Sequence, residues 1–293
     1  MGIRLIALDL DGTLLNSRGE LSERNRAAVA AARGAGAEVA LVTGRRFRDA
    51  RPLALELGLD VPVIAHNGAL TKHARTLETV AVSLMPAESA RAVVALGRAH
   101  GADALVSDDH EGAGLLLYDQ ISEGNTALAK YIAWSRRVVG DEAATAVRRV
   151  PSLEGYLDHD PVHVTFSGGC AAMRRLADEM GRELGGAVKL LLTLYPRADF
   201  ALLDVLHPNA SKGAGLAAVA AEMGLGREEV MAVGDNFNDV EMLEYAGTGV
   251  LMGNAEPPLR ERAGFHLTAA NDEDGVAQAI EKFVLQPLSG RQV

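Results

Sequence analysis

The sequence predicts an α/β protein: a doubly wound parallel sheet into which a second α/β domain is inserted. Three observations predict it. Short apolar runs alternate with helical patterns at both ends of the chain, the rhythm of βαβ units and a parallel sheet. The rhythm changes near Met85-Pro86 and returns only after Tyr195, as expected for a domain threaded into another. Several apolar runs also end in polar residues, at the carboxyl ends of strands where open α/β sheets place their ligands.

Ile3 to Leu8 reads as the first buried strand and leads into Asp9-Leu10-Asp11-Gly12-Thr13. The two-residue strand period points Asp9 and Asp11 to the same side, and Gly12 lets the chain turn away after them. Two such acids repel unless a cation sits between them, and oxygen ligands at this density suit Mg²⁺. Ser22 is the expected N-cap of a helix from Glu23 to Arg33, stopped by Gly34 and Gly36. Val39 to Val42 is a second strand, ending at Thr43-Gly44-Arg45. A helix from Arg46 to Leu57 follows, with Pro52 at its start or at a kink. Val61 to Ala65 is the third strand, ending at His66-Asn67-Gly68, a turn signal. Ala69 to Leu84 reads as a strand pair.

The insert is expected over residues 84–197, leaving 1–83 and 198–293 as a discontinuous core. Within the insert, Val162 to Phe166 and Leu190 to Leu194 read as strands and Ala171 to Leu184 as an amphipathic helix. The core is expected to resume with a strand from Phe200 to Leu206. Ser211 then caps a helix that begins at Lys212. Val230 to Val233 is a compact strand that runs into Gly234-Asp235-Asn236-Phe237-Asn238-Asp239. Gly249 to Met252 is a further strand, Asp274 to Val284 a last helix, and Gln286 to Val293 a loose tail.

Composition narrows the function. A net charge of −10 argues against a general nucleic-acid or anionic-membrane surface. One cysteine, Cys170, excludes an internal disulfide and fits a reducing cytoplasm. No apolar run reaches membrane-spanning length, and the N-terminus lacks the layout of a signal peptide.

Four polar groups are therefore expected to converge: Asp9 with Asp11; Thr43 with Gly44 and Arg45; Lys212; and Asp235 with Asn238 and Asp239. Each has an ordinary alternative: a turn, a solvated lysine, a helix cap. Together, each after a matching buried segment, they are hard to explain that way. The chain resembles the haloacid dehalogenase (HAD) superfamily of aspartate-nucleophile phosphatases. The resemblance rests on LDLDGTLLNS (Leu8 to Ser17), VTGR (Val42 to Arg45), SKG (Ser211 to Gly213) and GDNFNDVEML (Gly234 to Leu243). VLMGNA (Val250 to Ala255) and NDEDGVAQAI (Asn271 to Ile280) narrow it to the Cof-like branch with a large α/β cap. His66 departs from that branch, which often has serine or another small residue there.

The resemblance implies a Rossmann-like, HAD-like core and a Mg²⁺-dependent phosphatase. It implies Asp9 as nucleophile, Asp11 as acid and base, and Mg²⁺ on Asp9, Asp235 and the backbone carbonyl of Asp11. It implies Thr43, Lys212, Asn238 and the Gly44 N–H on phosphoryl oxygens, Asp239 in support of Lys212 or a metal-bound water, and Arg45 steering phosphate or facing the cap. The expected substrate is a small phosphorylated metabolite: a sugar phosphate first, then a cofactor phosphate such as pyridoxal phosphate or flavin mononucleotide. A phosphomutase is the enzymatic alternative. A non-catalytic phosphate-binding regulatory module would be expected to lose Asp9 or Asp11, and both are present. The oligomeric state, a homodimer included, stays open. His159 and His163 read as ordinary surface or strand histidines, the run Asp108 to Glu111 as a solvated cap loop, and Cys170 as a passive small residue at a helix start.

Overall fold

The computed structural model describes residues 2–139, 146–195 and 199–286. The chain divides into two compact units, Met1–Ala81 with Ser211–Val293, and Val82–Ala210. Along the chain, the first unit begins with β1 (Leu5–Leu8), α1 (Glu23–Gly34), β2 (Glu38–Leu41), α2 (Phe47–Glu56), β3 (Val63–Ala65), β4 (Leu70–Lys72) and β5 (Thr79–Val82). The second unit holds α3 (Ala87–Ala99), β6 (Ala104–Asp108), β7 (Leu115–Tyr118), α4 (Thr126–Val139), β8 (Val147–Arg149), β9 (His163–Gly168), α5 (Cys170–Leu184), β10 (Lys189–Tyr195) and β11 (Phe200–Leu206). The first unit resumes with α6 (Lys212–Glu222), β12 (Val230–Gly234), α7 (Val240–Tyr245), β13 (Thr248–Leu251), β14 (His266–Leu267) and α8 (Gly275–Ile280).

The first unit is built on a five-stranded parallel sheet in the order β14-β13-β12-β1-β2. β1 lies between β12 and β2, with Leu8 opposite Val233 on one side and Leu41 on the other. Its four residues are all buried, as expected of a strand covered on both faces. The expected third strand enters by a narrower route. β3 pairs antiparallel with β4 in a separate three-stranded sheet and meets the parallel sheet through one bridge, Val42 to Ile64. Leu5, Ala7, Val42, Ile64, Leu216, Val219, Val230, Ala232 and Leu243 form the core around these strands. Ser22 and Ser211 cap α1 and α6 as expected, accepting from Asn25 N at 3.1 Å and Ala214 N at 3.0 Å. Pro52 lies inside α2.

The second unit is a six-stranded sheet in the order β10-β11-β9-β6-β7-β8. β11 corrects the sequence reading. It pairs antiparallel with β10 along Lys189 to Tyr195 and with β9 on its other side, so it completes the inserted sheet and does not reopen the core. A short apolar run does not name its partners, and β11 alternates buried with half-buried residues, as in a sheet with one face on a core, whereas β1 and β12 are buried throughout. The insert therefore runs to Ala210, past the expected end at 197. The expected linker Pro196-Arg197-Ala198 and the tail beyond Gln286 lie outside the described residues. Among the described residues, no helix is long and apolar enough to cross a membrane.

Candidate active site

Asp9 is the first residue beyond β1, and its N–H still donates to Val233 O at 3.1 Å. The strand geometry ends there. Thr13 N and Leu15 N donate to Leu10 O, and Leu14 N donates to Asp9 O, so the segment curls at once into turns. The two acids expected on one side therefore part. Asp9 is buried, whereas the Asp11 side chain is 56% exposed. Arg45 holds it in a two-pronged ion pair, Nε to Oδ2 at 2.8 Å and Nη2 to Oδ1 at 2.6 Å.

Asp9 meets two acids from the end of β12 instead. Asp9, Asp235 and Asp239 offer carboxylate oxygens that all lie within 4.8 Å of one another. Lys212, in the first turn of α6, is buried beside them and donates to Asp9 Oδ1 and Asp239 Oδ1, each at 2.6 Å. The other oxygen of Asp239 accepts from the backbone N–H of Asp235 and Asn236, both at 2.9 Å. Both oxygens of Asp239 are thus committed to holding Lys212 and the loop. Asp235 Oδ1 accepts from the Thr13 hydroxyl at 2.9 Å. A Cβ at Gly12 would lie 2.4 Å from Asp235 Oδ2, so the turn after Asp11 admits only glycine at this approach.

Further polar groups follow the ends of the neighbouring strands. Thr43 is buried, and its hydroxyl accepts from Arg45 N at 3.1 Å. Asn238 Nδ2 donates to Asn67 Oδ1 at 2.9 Å, and the Asn67 carboxamide lies against Gly44. Asn254 Nδ2 donates to Gly12 O at 2.9 Å.

Three carboxylates share one ammonium, and burial makes the imbalance costly. Burial pushes the Asp9 carboxyl well above its ordinary value, Lys212 opposes the shift, and Asp239 and Asp235 add to it. Burial and then the Asp239 charge push Asp235 from 3.8 up to about 7, against the Thr13 hydrogen bond and Lys212. Burial disfavours the Lys212 charge, but Asp239 and Asp9 outweigh it and hold the ammonium above its ordinary value. The cluster lacks positive charge and offers only hard oxygen donors, which fits a cation such as Mg²⁺. Asp9 and Asp235 are the carboxylates best suited to hold it, because Asp239 is already engaged.

Residues 6–280 match the family model of the haloacid dehalogenase-like hydrolases. The chain belongs to that family. It is 31% identical to the 5-amino-6-(5-phospho-D-ribitylamino)uracil phosphatase YcsE of Bacillus subtilis, over 97% of this chain and 96% of that protein. It is 30% identical to the pyridoxal phosphate phosphatase YbhA of Escherichia coli, over 96% of this chain and 98% of that one. A haloacid dehalogenase-like hydrolase from Bacteroides thetaiotaomicron has a similar structure, with a TM-score of 0.78 and 26% identity over 95% of this chain and 98% of that chain. The expected class, a hydrolase acting on phosphoric monoesters, agrees with the family and with these relatives.

Within this family fold, the structure brings Asp9, Lys212, Asp235 and Asp239 together and leaves the Asp11 carboxylate outside their cluster, on Arg45. Thr13, Asn67 and Asn254 stand inside the sequence motifs, and the motifs alone assign them no contact. Their signal is position: each sits within five residues of a predicted strand's end. In the second unit, His159 lies between Asp108 and Asp158, and the His163 ring contacts Thr165 on the same strand. Cys170 N donates to Asp199 and its thiol to Phe200 O. Asp108 departs from the solvated loop expected of it: it is buried at the end of β6, and its carboxylate accepts from the Tyr156 hydroxyl at 2.9 Å.

Proposed function

We propose that the protein is a Mg²⁺-dependent phosphomonoesterase that acts on a small phosphorylated metabolite through an aspartyl-phosphate on Asp9. The observation that carries this reading is Asp9 itself: a buried carboxylate at the end of β1, 2.6 Å from the Lys212 ammonium and inside an acidic cluster short of positive charge. Phosphate esters resist hydrolysis because an anion repels its nucleophile. A fixed carboxylate splits the reaction into two easier steps.

In the first step an Asp9 oxygen attacks phosphorus and the bond to the leaving oxygen breaks, while Asp11 supplies the proton that oxygen needs. In the second, Asp11 takes a proton from water, the water attacks the aspartyl-phosphate, and inorganic phosphate leaves with Asp9 restored. The exposure of Asp11 suits a group that must exchange protons, whereas burial suits Asp9. Lys212, the Thr43 hydroxyl, the Gly44 N–H and Asn238 bind phosphoryl oxygens, and Arg45 guides the incoming anion and orients Asp11. Asp239 locks Lys212 in place. Mg²⁺ held by Asp9, Asp235 and the Asp11 carbonyl would neutralise phosphoryl charge and align the group for in-line attack.

The favoured substrate class is a sugar phosphate, with cofactor phosphates next. The relatives' names support small phosphomonoesters of this kind, one a phosphorylated ribityl compound and one pyridoxal phosphate. The test is release of inorganic phosphate from a metabolite panel with and without Mg²⁺. Turnover that needs Mg²⁺ and Asp9 supports the reading. Isomerised phosphate ester without free phosphate would show a mutase, and full turnover in excess chelator would exclude the metal.

A further inference from the structure

The turn His66-Asn67-Gly68 has three consecutive residues with positive φ, at 51°, 53° and 89°. Such a run is strained for side-chain-bearing residues, and surrounding contacts must hold it. Those contacts lead to three separate parts of the phosphoryl site. Asn67 N donates to Thr43 O at 3.0 Å and His66 N to Arg45 O at 2.9 Å, which ties the turn to the end of β2. A Cβ at Gly68 would lie 1.9 Å from Ser211 O, so the turn presses directly on the start of the Lys212 helix. The buried Asn67 carboxamide lies against Gly44, where a Cβ would come within 3.1 Å of its Oδ1, and the same oxygen accepts from Asn238 Nδ2 at 2.9 Å.

We propose that Asn67 is a positioning residue of the phosphoryl site: its side-chain oxygen fixes the Asn238 carboxamide, and its backbone fixes Thr43. With one Asn238 N–H tied to Asn67, the second keeps a single direction. Asparagine suits the position because it tolerates the left-handed backbone and carries an acceptor of the right reach. The inference rests on the reading of Asn238 as a phosphoryl ligand.

A double-mutant cycle with a small aryl phosphate as substrate and inorganic phosphate as inhibitor tests it. Asn67→Gly keeps the backbone conformation and removes the acceptor. It is expected to raise KM and the inhibition constant of inorganic phosphate about ten-fold, the worth of one hydrogen bond to a charged group, with a smaller change in kcat. Asn238→Ala is expected to do the same, and the double variant to be no worse than either single one. Penalties that multiply, or an Asn67→Gly effect below about two-fold, overturn the inference. If Asn67→Gly does not fold, Asn67→Asp decides, since it keeps both the acceptor and the backbone tolerance. In that background Asn238→Ala must cost as much as in the wild type, and a lost penalty overturns the inference. An Asn238→Ala protein with unchanged KM and phosphate inhibition removes the reading of Asn238 and this inference with it. A real Asn238 effect that multiplies with Asn67→Gly removes the inference alone.

Discussion

Asp235→Asn separates stability from function at the acidic cluster. In the folded protein the Asp235 carboxyl is raised from 3.8 to about 7, chiefly by burial and then by Asp239. The sign follows from proton counts. Between pH 4 and 7 the unfolded chain has released this proton while the folded one retains it, so folding stability falls as pH rises across that window. The full difference corresponds to about 4 kcal/mol, and solvent relaxation brings the expected effect nearer to about 2 kcal/mol. Asparagine keeps an oxygen for the Thr13 hydroxyl and removes the charge. Metal-free Asp235→Asn should therefore melt several degrees above the metal-free wild type at pH 8, at roughly 2 °C per kcal/mol for a chain of this size. The two proteins should converge near pH 4. Saturating Mg²⁺ should reverse the order, raising the wild type by about 3 kcal/mol at a hundred times its Kd and leaving the variant unmoved. Mg²⁺ affinity should also strengthen as pH rises through 7, because binding displaces the Asp235 proton. Thermal melts of both proteins at pH 4, 5.5 and 8, with and without Mg²⁺, supply the test. A variant that Mg²⁺ stabilises as it does the wild type, or a metal-free wild type that gains stability between pH 5.5 and 8 relative to the variant, would mean that Asp235 is neither the metal's ligand nor the source of the pH dependence.

Lys212→Ala leaves Asp9 and Asp239 buried without their cation, so it should cost about 3–5 kcal/mol of stability along with nearly all turnover. Arg18→Ala, at a 76% exposed side chain, is the charge-matched control and should change neither; equal effects on turnover would mean that bulk field, not contact, matters. Arg46 is unsuitable as that control, because its guanidinium is buried against Asp49. Replacing residues 82–210 by a short linker should leave hydrolysis of a small aryl phosphate and flatten the preference among natural phosphates. This is read as kcat/KM ratios across several metabolites, and an unchanged preference order would show that specificity resides in the first unit.

The parallel core was legible because its signals are local. Ile3 to Leu8, Val39 to Val42 and Val230 to Val233 are apolar runs with polar ends, and β1, β2 and β12 fall on them. Both serine caps were legible for the same reason. The placement of β11 was not, because sheet membership depends on partners that lie far from a strand in sequence. The grouping of the acids was half legible. Asp9 and Asp235 follow from strand ends, but Asp11 leaves the cluster because the strand stops one residue before Asp9, where a two-residue period no longer applies. Asp239 reaches the cluster through a turn of the chain after β12 that brings its carboxylate back to Lys212 and to the N–H of Asp235. The work of Asn67 was hidden because it depends on a left-handed backbone, and an Asn-Gly pair signals only that a turn is present.

On the proposed mechanism, Asp9 carries the phosphoryl group during turnover. Acid-quenching the enzyme during hydrolysis of an activated aryl phosphate in Mg²⁺, followed by peptide mass analysis, tests it most directly. The expected result is a phosphoryl adduct on the peptide containing Asp9, labile to hydroxylamine as an acyl phosphate is, and no adduct in Asp9→Asn, whose turnover falls below a tenth of the wild type, a barrier increase of at least about 1.4 kcal/mol. An adduct on a different residue, or an Asp9→Asn protein that keeps its turnover, would contradict it.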